Sequence, residues 1–267
     1  MVASSRVSRG SLPFRPEREE AELRAYLGSD YEHRRLQNYD LQLEQEFGAF
    51  ADEGSFYRGS EAYLYNLTAF AMTGTKVPYL RELVRRVPPG SRLLDYGCGI
   101  GSDGLLLLEA GYRVEFADFD NPSAEYLRWR LDRRGLDATV HDLDGIVPGG
   151  FDAAYSFDVI EHVPDPFAFL AELEARARLV MVNFLEPVAD DITLHHPLPV
   201  DRLLRHCARR RLVSYRIRYG RSHVVLYDPR SAGLWRRALG RAVLVGGRLR
   251  REVARALGAP RTLTAGR

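Results

Sequence analysis

The stretch LLDYGCGIGSDG, from Leu93 to Gly104, decides the fold. It places four glycines within eight residues, directly after a short apolar run that ends in an aspartate. Glycine is unfavourable inside helices and strands, so this concentration indicates a turn that needs unusual backbone angles or close approach by a ligand. A turn of this kind leads from a parallel strand into a helix whose free N–H groups can bind a ligand. The stretch therefore predicts the first strand–loop–helix unit of a ligand-binding α/β sheet.

The rest of the chain alternates in the same way. Five β-prone runs lie at 92–96, 113–117, 138–141, 152–157 and 179–184, and helix-length stretches around 103–110, 122–134 and 166–177 separate them. Two further runs, 212–218 and 223–227, are joined by a link too short for a parallel crossover. The alternation predicts a Rossmann-like α/β fold with a seven-stranded, mostly parallel sheet whose last strand is antiparallel.

Composition divides the chain of 267 residues into four segments. Residues 1–16 are rich in Ser, Arg and Pro and are expected to be disordered, and 17–88 have a helical pattern. Residues 89–228 carry the sheet, and 229–267 form a basic amphipathic tail. The tail from Arg230 onward has ten arginines and one acid, which makes it strongly basic and leaves a net acidic body.

Composition also excludes several classes of protein. The chain is 45% hydrophobic, has two distant cysteines, and contains no apolar run long enough for a signal peptide or a membrane span. We therefore expect a cytoplasmic protein without a disulfide framework or an integral membrane segment. Nucleic-acid binding is not expected either, because the basic charge lies outside the predicted site.

Acidic side chains end the second and third predicted strands, at Asp118 and Asp142. The carboxyl ends of parallel strands meet at one edge of a sheet, so these carboxylates and the glycine loop should share a crevice. The glycines also match the G-x-G-x-x-G pattern, which raises a nicotinamide dinucleotide as one ligand. Asp95 would sit badly against a pyrophosphate but well near a cationic ligand, which favours a different cofactor.

The motifs of 90–227, taken in order, resemble those of class I S-adenosylmethionine-dependent methyltransferases. The family's first motif, an acid followed by G-x-G-x-G, matches Asp95, Gly97, Gly99 and Gly101. Its ribose-binding acid matches Asp118, and its adenine-side acid matches Asp142, with Leu143 beside it. Its fourth-strand motif matches Asp152, Val159, Glu161, His162 and Val163. The resemblance implies S-adenosylmethionine as the cofactor. In related proteins a helical segment like 17–88 folds over the carboxyl edge as a lid.

The resemblance implies cofactor contacts from a larger set of residues: Asp95, Gly97, Cys98, Gly99, Gly101, Asp118, Phe119, Asp142, Leu143, Asp158 and Arg58, the last toward the cofactor's carboxylate. The implied reaction is in-line displacement at the methyl carbon of a sulfonium, which depends chiefly on positioning and desolvation. A base is added where the acceptor must lose a proton, and His162, His195, His196 and Tyr57 are the candidates. No metal site is expected, because adjacent residues in an extended chain, such as His195 and His196, point apart.

Three alternatives stay open beside methyl transfer to the O or N atom of a small molecule. Similar folds include synthases that cyclise S-adenosylmethionine, for example to azetidine-2-carboxylate, with release of methylthioadenosine. A non-catalytic module could keep the crevice for binding alone, and dependence on a nicotinamide cofactor is the third alternative. The tail could contact an anionic membrane surface, a protein partner or the acidic body of the same chain.

Overall fold

The computed structural model describes residues 12–187 and 195–256. Most of the segment expected to be disordered, residues 1–11, therefore lies outside the described residues. The chain divides into two compact units, Met1–Asp152 and Ala153–Arg267. Seven strands form one mixed sheet in the order β3-β2-β1-β4-β5-β7-β6, so the predicted fold class is confirmed.

The first unit begins with six helices that cover most of the predicted helical segment: α1 (Pro16–Leu27), α2 (His33–Gln37), α3 (Tyr39–Phe47), α4 (Glu53–Gly59), α5 (Ala62–Met72) and α6 (Val77–Val84). Two strand–helix units and a third strand follow: β1 (Arg92–Tyr96), α7 (Ser102–Glu109), β2 (Arg113–Asp118), α8 (Pro122–Arg134) and β3 (Val140–Asp142). β1 pairs with β2, and β2 with β3, in parallel register.

Local sequence explains how α8 starts and stops. The Asn121 side chain accepts a hydrogen bond from the Ala124 N–H, and Pro122 supplies the fixed backbone angle that suits a first turn. Gly135 follows the last turn with φ 60°, the left-handed conformation that ends many helices. The observed helix is the one predicted from the sequence.

The N-terminal helices are part of the core of the first unit. Leu23 of α1 and Tyr65 of α5 are fully or almost fully buried in one cluster with Ile100 of the glycine loop and Tyr126 of α8. These contacts bury apolar surface that the sheet alone would leave in water. The predicted role of 17–88 as a lid remains a prediction, but these helices also support the sheet unit.

The second unit takes β4 (Phe151–Ser156) from its third residue and continues with α9 (Pro166–Arg176), β5 (Ala177–Leu185), α10 (Val200–Ala208), β6 (Arg210–Arg218), β7 (Ser222–Ser231) and α11 (Leu234–Ala256). β7 lies between β5 and β6 and is antiparallel to both. The short link after β6 forces this hairpin, as the sequence predicts. Among the described residues, no helix combines the length and hydropathy needed to cross a bilayer.

Candidate cofactor and catalytic site

The glycine loop between β1 and α7 has a backbone that only glycine adopts easily. Gly97, Gly99 and Gly101 have φ values of 72°, 52° and 72°. A Cβ atom at Gly99 would lie 2.6 Å from Leu67 of α5, and one at Gly101 would lie 2.3 Å from Leu127 of α8. The glycines therefore serve both the turn and the close packing of two helices against it.

Asp95, the first acid of the predicted motif, is buried at the end of β1. Its Oδ2 atom accepts a hydrogen bond from the Gly104 N–H at 3.1 Å, in the first turn of α7. A carboxylate in this position also interacts favourably with the positive end of the helix dipole. Asp95 thus fixes where the loop ends and the helix begins.

Asp118, at the end of β2, holds the loop from the other side. Its Oδ2 atom accepts the Gly99 N–H at 2.6 Å, and its Oδ1 atom accepts the Phe119 N–H at 2.8 Å. Burial raises the pKa of this carboxyl to about 6, although the two hydrogen bonds act to lower it. Each oxygen keeps a further lone pair, so the carboxylate can still accept hydrogen bonds from two ribose hydroxyls.

Asp142 lies beside Asp118, because the two are direct register partners in the β2–β3 pair. The Leu143 N–H donates to the Asp118 carbonyl at 2.9 Å, and the Asp142 side chain accepts the Asp144 N–H at 3.0 Å. The structure therefore brings the two predicted strand-end acids and Leu143 together at one edge of the parallel strands.

Arg58 was expected at the cofactor's carboxylate, and the structure gives it another partner. Its guanidinium forms two hydrogen bonds with the Asp144 carboxylate, at 2.7 and 3.0 Å, and lies 4.1 Å from the centre of the Phe119 ring. This pair joins α4 to the turn after β3. Contact with a cofactor would require the pair to open, so the role remains a prediction.

Two other predicted site residues of the first unit are Tyr57 and Cys98. The Tyr57 ring packs 5.8 Å from that of Tyr63, and its carbonyl accepts a hydrogen bond from the Asn121 side chain. Burial raises the pKa of the Cys98 thiol well above its ordinary value, with Asp118 and Asp95 adding to the effect. The thiol is therefore neutral at ordinary pH, and a cofactor contact would come from its backbone or its apolar surface.

Sequence reasoning missed Arg130 of α8, which is fully buried. Its guanidinium donates to Glu19 at 2.7 Å and Glu22 at 2.8 Å on α1, and to the Ile100 carbonyl of the glycine loop at 2.8 Å. Ser102, at the start of α7, donates to Glu19 at 2.7 Å. The network connects α1 to the loop. Its signal is the burial of an arginine, and burial of this kind cannot be read from the sequence.

A small open cleft lies beside the loop. Its lining includes Leu67, Lys76, Cys98, Ser102 and Asp103. Asp118 and Asp142 do not line it. The loop therefore borders a concave surface on the side of α5 and α6, away from the strand-end acids.

In the second unit, Asp158 adopts φ 55°, an uncommon conformation for a residue other than glycine. Its N–H donates to the Asn183 side chain at 2.8 Å, and the Asn183 amide donates back to the Asp158 carboxylate at 2.6 Å. Asn183 is fully buried in β5. The polar residue inside the apolar run LVMVNFL is a signal that the sequence offered for this pair.

Glu161, His162 and His195 form a compact cluster. One potential ligand atom from each residue lies within 4.8 Å of the others, and the two imidazole rings meet edge to face with centres 4.8 Å apart. Glu161 is buried, and its carbonyl accepts the His196 N–H at 2.7 Å. The structure thus joins two of the predicted bases and leaves the His196 ring outside the group.

The glycine loop, the strand-end acids and the strand order together define a class I S-adenosylmethionine-dependent methyltransferase fold. A family model described as a methyltransferase domain matches residues 73–238, more than half of the chain, so the protein belongs to this family. The predicted family and its cofactor, S-adenosylmethionine, are confirmed.

Relatives and solved structures agree with this assignment. Ubiquinone biosynthesis O-methyltransferase of Caulobacter sp. (strain K31) is 30% identical over 152 residues, which are 52% of this chain and 60% of that protein. The protein of the same name from Xanthomonas campestris pv. campestris (strain B100) is 32% identical over 87 residues, 31% of this chain and 36% of that protein. The matches therefore span between 36% and 60% of these relatives' length.

Magnesium protoporphyrin IX methyltransferase (ChlM) from Synechocystis PCC 6803, solved with bound SAH, superposes with a TM-score of 0.51. The match covers 79% of this chain and 100% of that one, at 14% identity. At this identity the likeness shows a shared fold.

Proposed function

We propose that this protein transfers the methyl group of S-adenosylmethionine to a hydroxyl oxygen of a small molecule. The sulfonium C–S bond breaks and a C–O bond forms, so the sulfur keeps the bonding pair and S-adenosylhomocysteine is released. The hydroxyl proton passes to a base. The observation that carries the proposal is Asp118, whose two oxygens already clamp the glycine loop beside Asp142.

This arrangement supports cofactor binding without further rearrangement of the backbone. A bound ribose would add hydrogen bonds to a carboxylate that the loop N–H groups already orient, which lowers the entropic cost of binding. Asp142 offers a second acceptor at the adjacent strand end. Oxygen as the acceptor atom is supported by the printed names of the relatives, which are O-methyltransferases.

The group to which we assign removal of the acceptor's proton lies in the second unit. His162 and His195 lie in contact, with the buried Glu161 beside them, and imidazole is the side chain that most often serves as a general base in enzymes. The same three side chains could hold a divalent cation, which would lower the pKa of a bound hydroxyl instead. Both routes remove the acceptor's proton, and they differ in their response to a chelator.

The test incubates the purified full chain with S-adenosylmethionine and a panel of phenols, catechols and amines. Mass spectrometry should find S-adenosylhomocysteine and a methylated phenolic product in equal amounts. Methylthioadenosine formed without any acceptor would show cyclisation instead. Tight cofactor binding with no product across the panel would show a binding module, and binding of NAD with no binding of S-adenosylmethionine would overturn the cofactor assignment.

A chelation experiment separates the two routes for the proton. Activity that survives EDTA and dialysis unchanged assigns the proton to an imidazole, in line with the predicted absence of a metal. Activity that disappears and returns with added Mg²⁺ or Zn²⁺ assigns it to a metal-bound hydroxyl. Asp118→Asn is the control, because a metal requirement should not depend on the cofactor's ribose contact.

Location and partners stay at the level of prediction. A cytoplasmic location and the absence of nucleic-acid partners are expected from the sequence. We assign the small-molecule acceptor to the methyltransferase site, and a membrane or protein contact to the C-terminal helix.

A further inference from the structure

The C-terminal helix α11 has two different faces. One face packs inside the second unit through small residues: a Cβ atom at Gly240 would lie 3.2 Å from the Ala208 carbonyl, and one at Gly247 would lie 2.5 Å from the Tyr215 ring. Leu244, on the same side, is buried. The glycines therefore let the helix seat closely against α10 and β6, which explains why they interrupt an otherwise regular pattern.

The opposite face is apolar and open to solvent. Trp235, Leu239 and Leu249 are 67%, 54% and 63% exposed, and Val253 is 50% exposed. At 3.6 residues per turn these four side chains fall within about 80° of one another around the helix axis. Large apolar side chains are seldom left in water in one stripe, so this face indicates a surface that something else covers.

Charge identifies the kind of surface that fits. The helix carries seven arginines and a single acid, Glu252. The exposed Arg236 lies with its guanidinium 5.3 Å from the centre of the Trp235 ring, at the border of the apolar stripe. Tryptophan and arginine side by side are typical of the boundary between lipid headgroups and acyl chains, where both groups keep polar contacts.

A second copy of the chain fits this face less well. Two such helices brought together along this stripe would each place the border arginine Arg236 at the same interface, and like charges across an interface disfavour association. The expected packing of the tail on the acidic body uses only the face with Gly240 and Gly247. An anionic lipid surface can accommodate the apolar stripe, the border arginine Arg236 and the net positive charge of the helix at the same time.

We propose that α11 docks in the plane of an anionic membrane, with Trp235, Leu239, Leu249 and Val253 inserted among the acyl chains. The arginines at the borders of the stripe contact the headgroups. This surface is independent of methyl transfer, because its binding is measured without cofactor or acceptor. A failure to detect methyl transfer would not contradict membrane docking, and a failure to detect membrane docking would not contradict methyl transfer.

The experiment uses the full chain and vesicles of phosphatidylcholine with or without phosphatidylglycerol. We expect co-sedimentation with the anionic vesicles, weaker binding as salt is added, and little binding to phosphatidylcholine alone. Leu239→Ser with Leu249→Ser should lower the partition coefficient at least about tenfold, since two inserted side chains are lost. Arg236→Gln with Arg241→Gln should lower it several-fold.

Ile146→Ser is the matched control, because Ile146 lies in the first unit and is 93% exposed, more than any other large apolar side chain outside this helix among the described residues. It should bind vesicles as the unmodified chain does. In a Trp129→Phe background Trp235 is the only tryptophan, and its emission should shift to shorter wavelength with anionic vesicles. Unchanged S-adenosylmethionine affinity in all variants confirms that they are folded.

Three results would overturn the proposal. The first is no sedimentation of the full chain, and the second is equal sedimentation of the Leu239→Ser, Leu249→Ser variant. The third is a dimer in solution that this variant converts to a monomer, which would make the face a contact between two copies.

Discussion

The glycine-loop site, formed by the β1–α7 loop with Asp95 and Asp118, and the acid–histidine cluster of Glu161, His162 and His195 are stabilised in different ways. Asp118 and Asp95 accept the Gly99 and Gly104 N–H groups of one β–loop–α segment, and these hydrogen bonds hold the loop in its turn. Glu161 and His162 are adjacent in the chain, and their side chains meet that of His195, which lies more than thirty residues further on. In the proposed function the first site binds the cofactor and the second accepts the proton, and substitutions should separate these two roles.

The largest effect should be the loss of stability on replacing Arg130, whose guanidinium donates to the Ile100 carbonyl of the loop. Arg130→Met leaves Glu19 buried without its closest cation, so the free energy of unfolding should fall by about 3 kcal/mol. Urea denaturation measures it. Arg128→Met, on the same helix but with an exposed ion pair to Asp120, should change stability by less than about 1 kcal/mol. Equal losses in the two variants would contradict the buried network.

The same network has a predictable pH dependence. Burial acts to raise the pKa of Glu22, but Arg134 and Arg130 outweigh it and hold that pKa below its ordinary value. A lowered folded pKa contributes stability above the unfolded pKa, and that contribution is lost as the pH falls through the folded value. The difference in stability between Arg130→Met and the unmodified chain should therefore shrink below about pH 4.

The next effect tests the reacting cluster. His162→Ala and His195→Ala should each lower kcat by about a hundredfold, because a positioned base contributes this much to proton transfer. The double variant should be little worse than either single one, since the two rings act as a unit. His196→Ala is the comparison, and a loss as large as that of His195→Ala would exclude the proposed cluster. Cofactor affinity, measured by calorimetry, should stay unchanged in all three single variants.

Sequence could predict the first site and only part of the second, for a physical reason. The spacing of Asp95, Gly97, Gly99 and Gly101 encodes a local turn, and the ends of parallel strands bring Asp118 and Asp142 together by register alone. Which histidine reaches His162 depends on the path of a loop, and two adjacent candidates cannot be separated by spacing. Arg130 acts through burial by distant elements, which no local pattern records, whereas the only local signal for Asn183 is its place as a polar residue inside an apolar strand.

A smaller effect, on cofactor affinity, should follow the ionisation of Asp118. In the proposed complex the ribose hydroxyls donate to the charged carboxylate, so binding should favour the ionised form. Because burial raises the pKa of Asp118 to about 6, the affinity for S-adenosylmethionine should fall as the pH drops through this value. The slope should approach tenfold per pH unit at most. In Asp118→Asn the affinity should be about tenfold weaker at pH 8 and nearly independent of pH between 5 and 8. A variant that keeps the slope of the unmodified chain would assign the titration to another group.

The smallest expected effect is on the Kd for S-adenosylmethionine when Arg58 is replaced, and it shows whether Arg58 has a structural role or binds the cofactor. If its guanidinium serves only the pair with Asp144, Arg58→Gln and Asp144→Asn remove the same exposed interaction. Both should then change the Kd for S-adenosylmethionine by less than about threefold, because exposed ion pairs contribute little. A cofactor carboxylate bound by Arg58 would break this symmetry: Arg58→Gln would weaken binding strongly, while Asp144→Asn would free the guanidinium and strengthen it. Calorimetry on the two variants decides between these outcomes, and we expect the symmetric one, since the guanidinium already donates two hydrogen bonds to Asp144 and one to the Gly54 carbonyl.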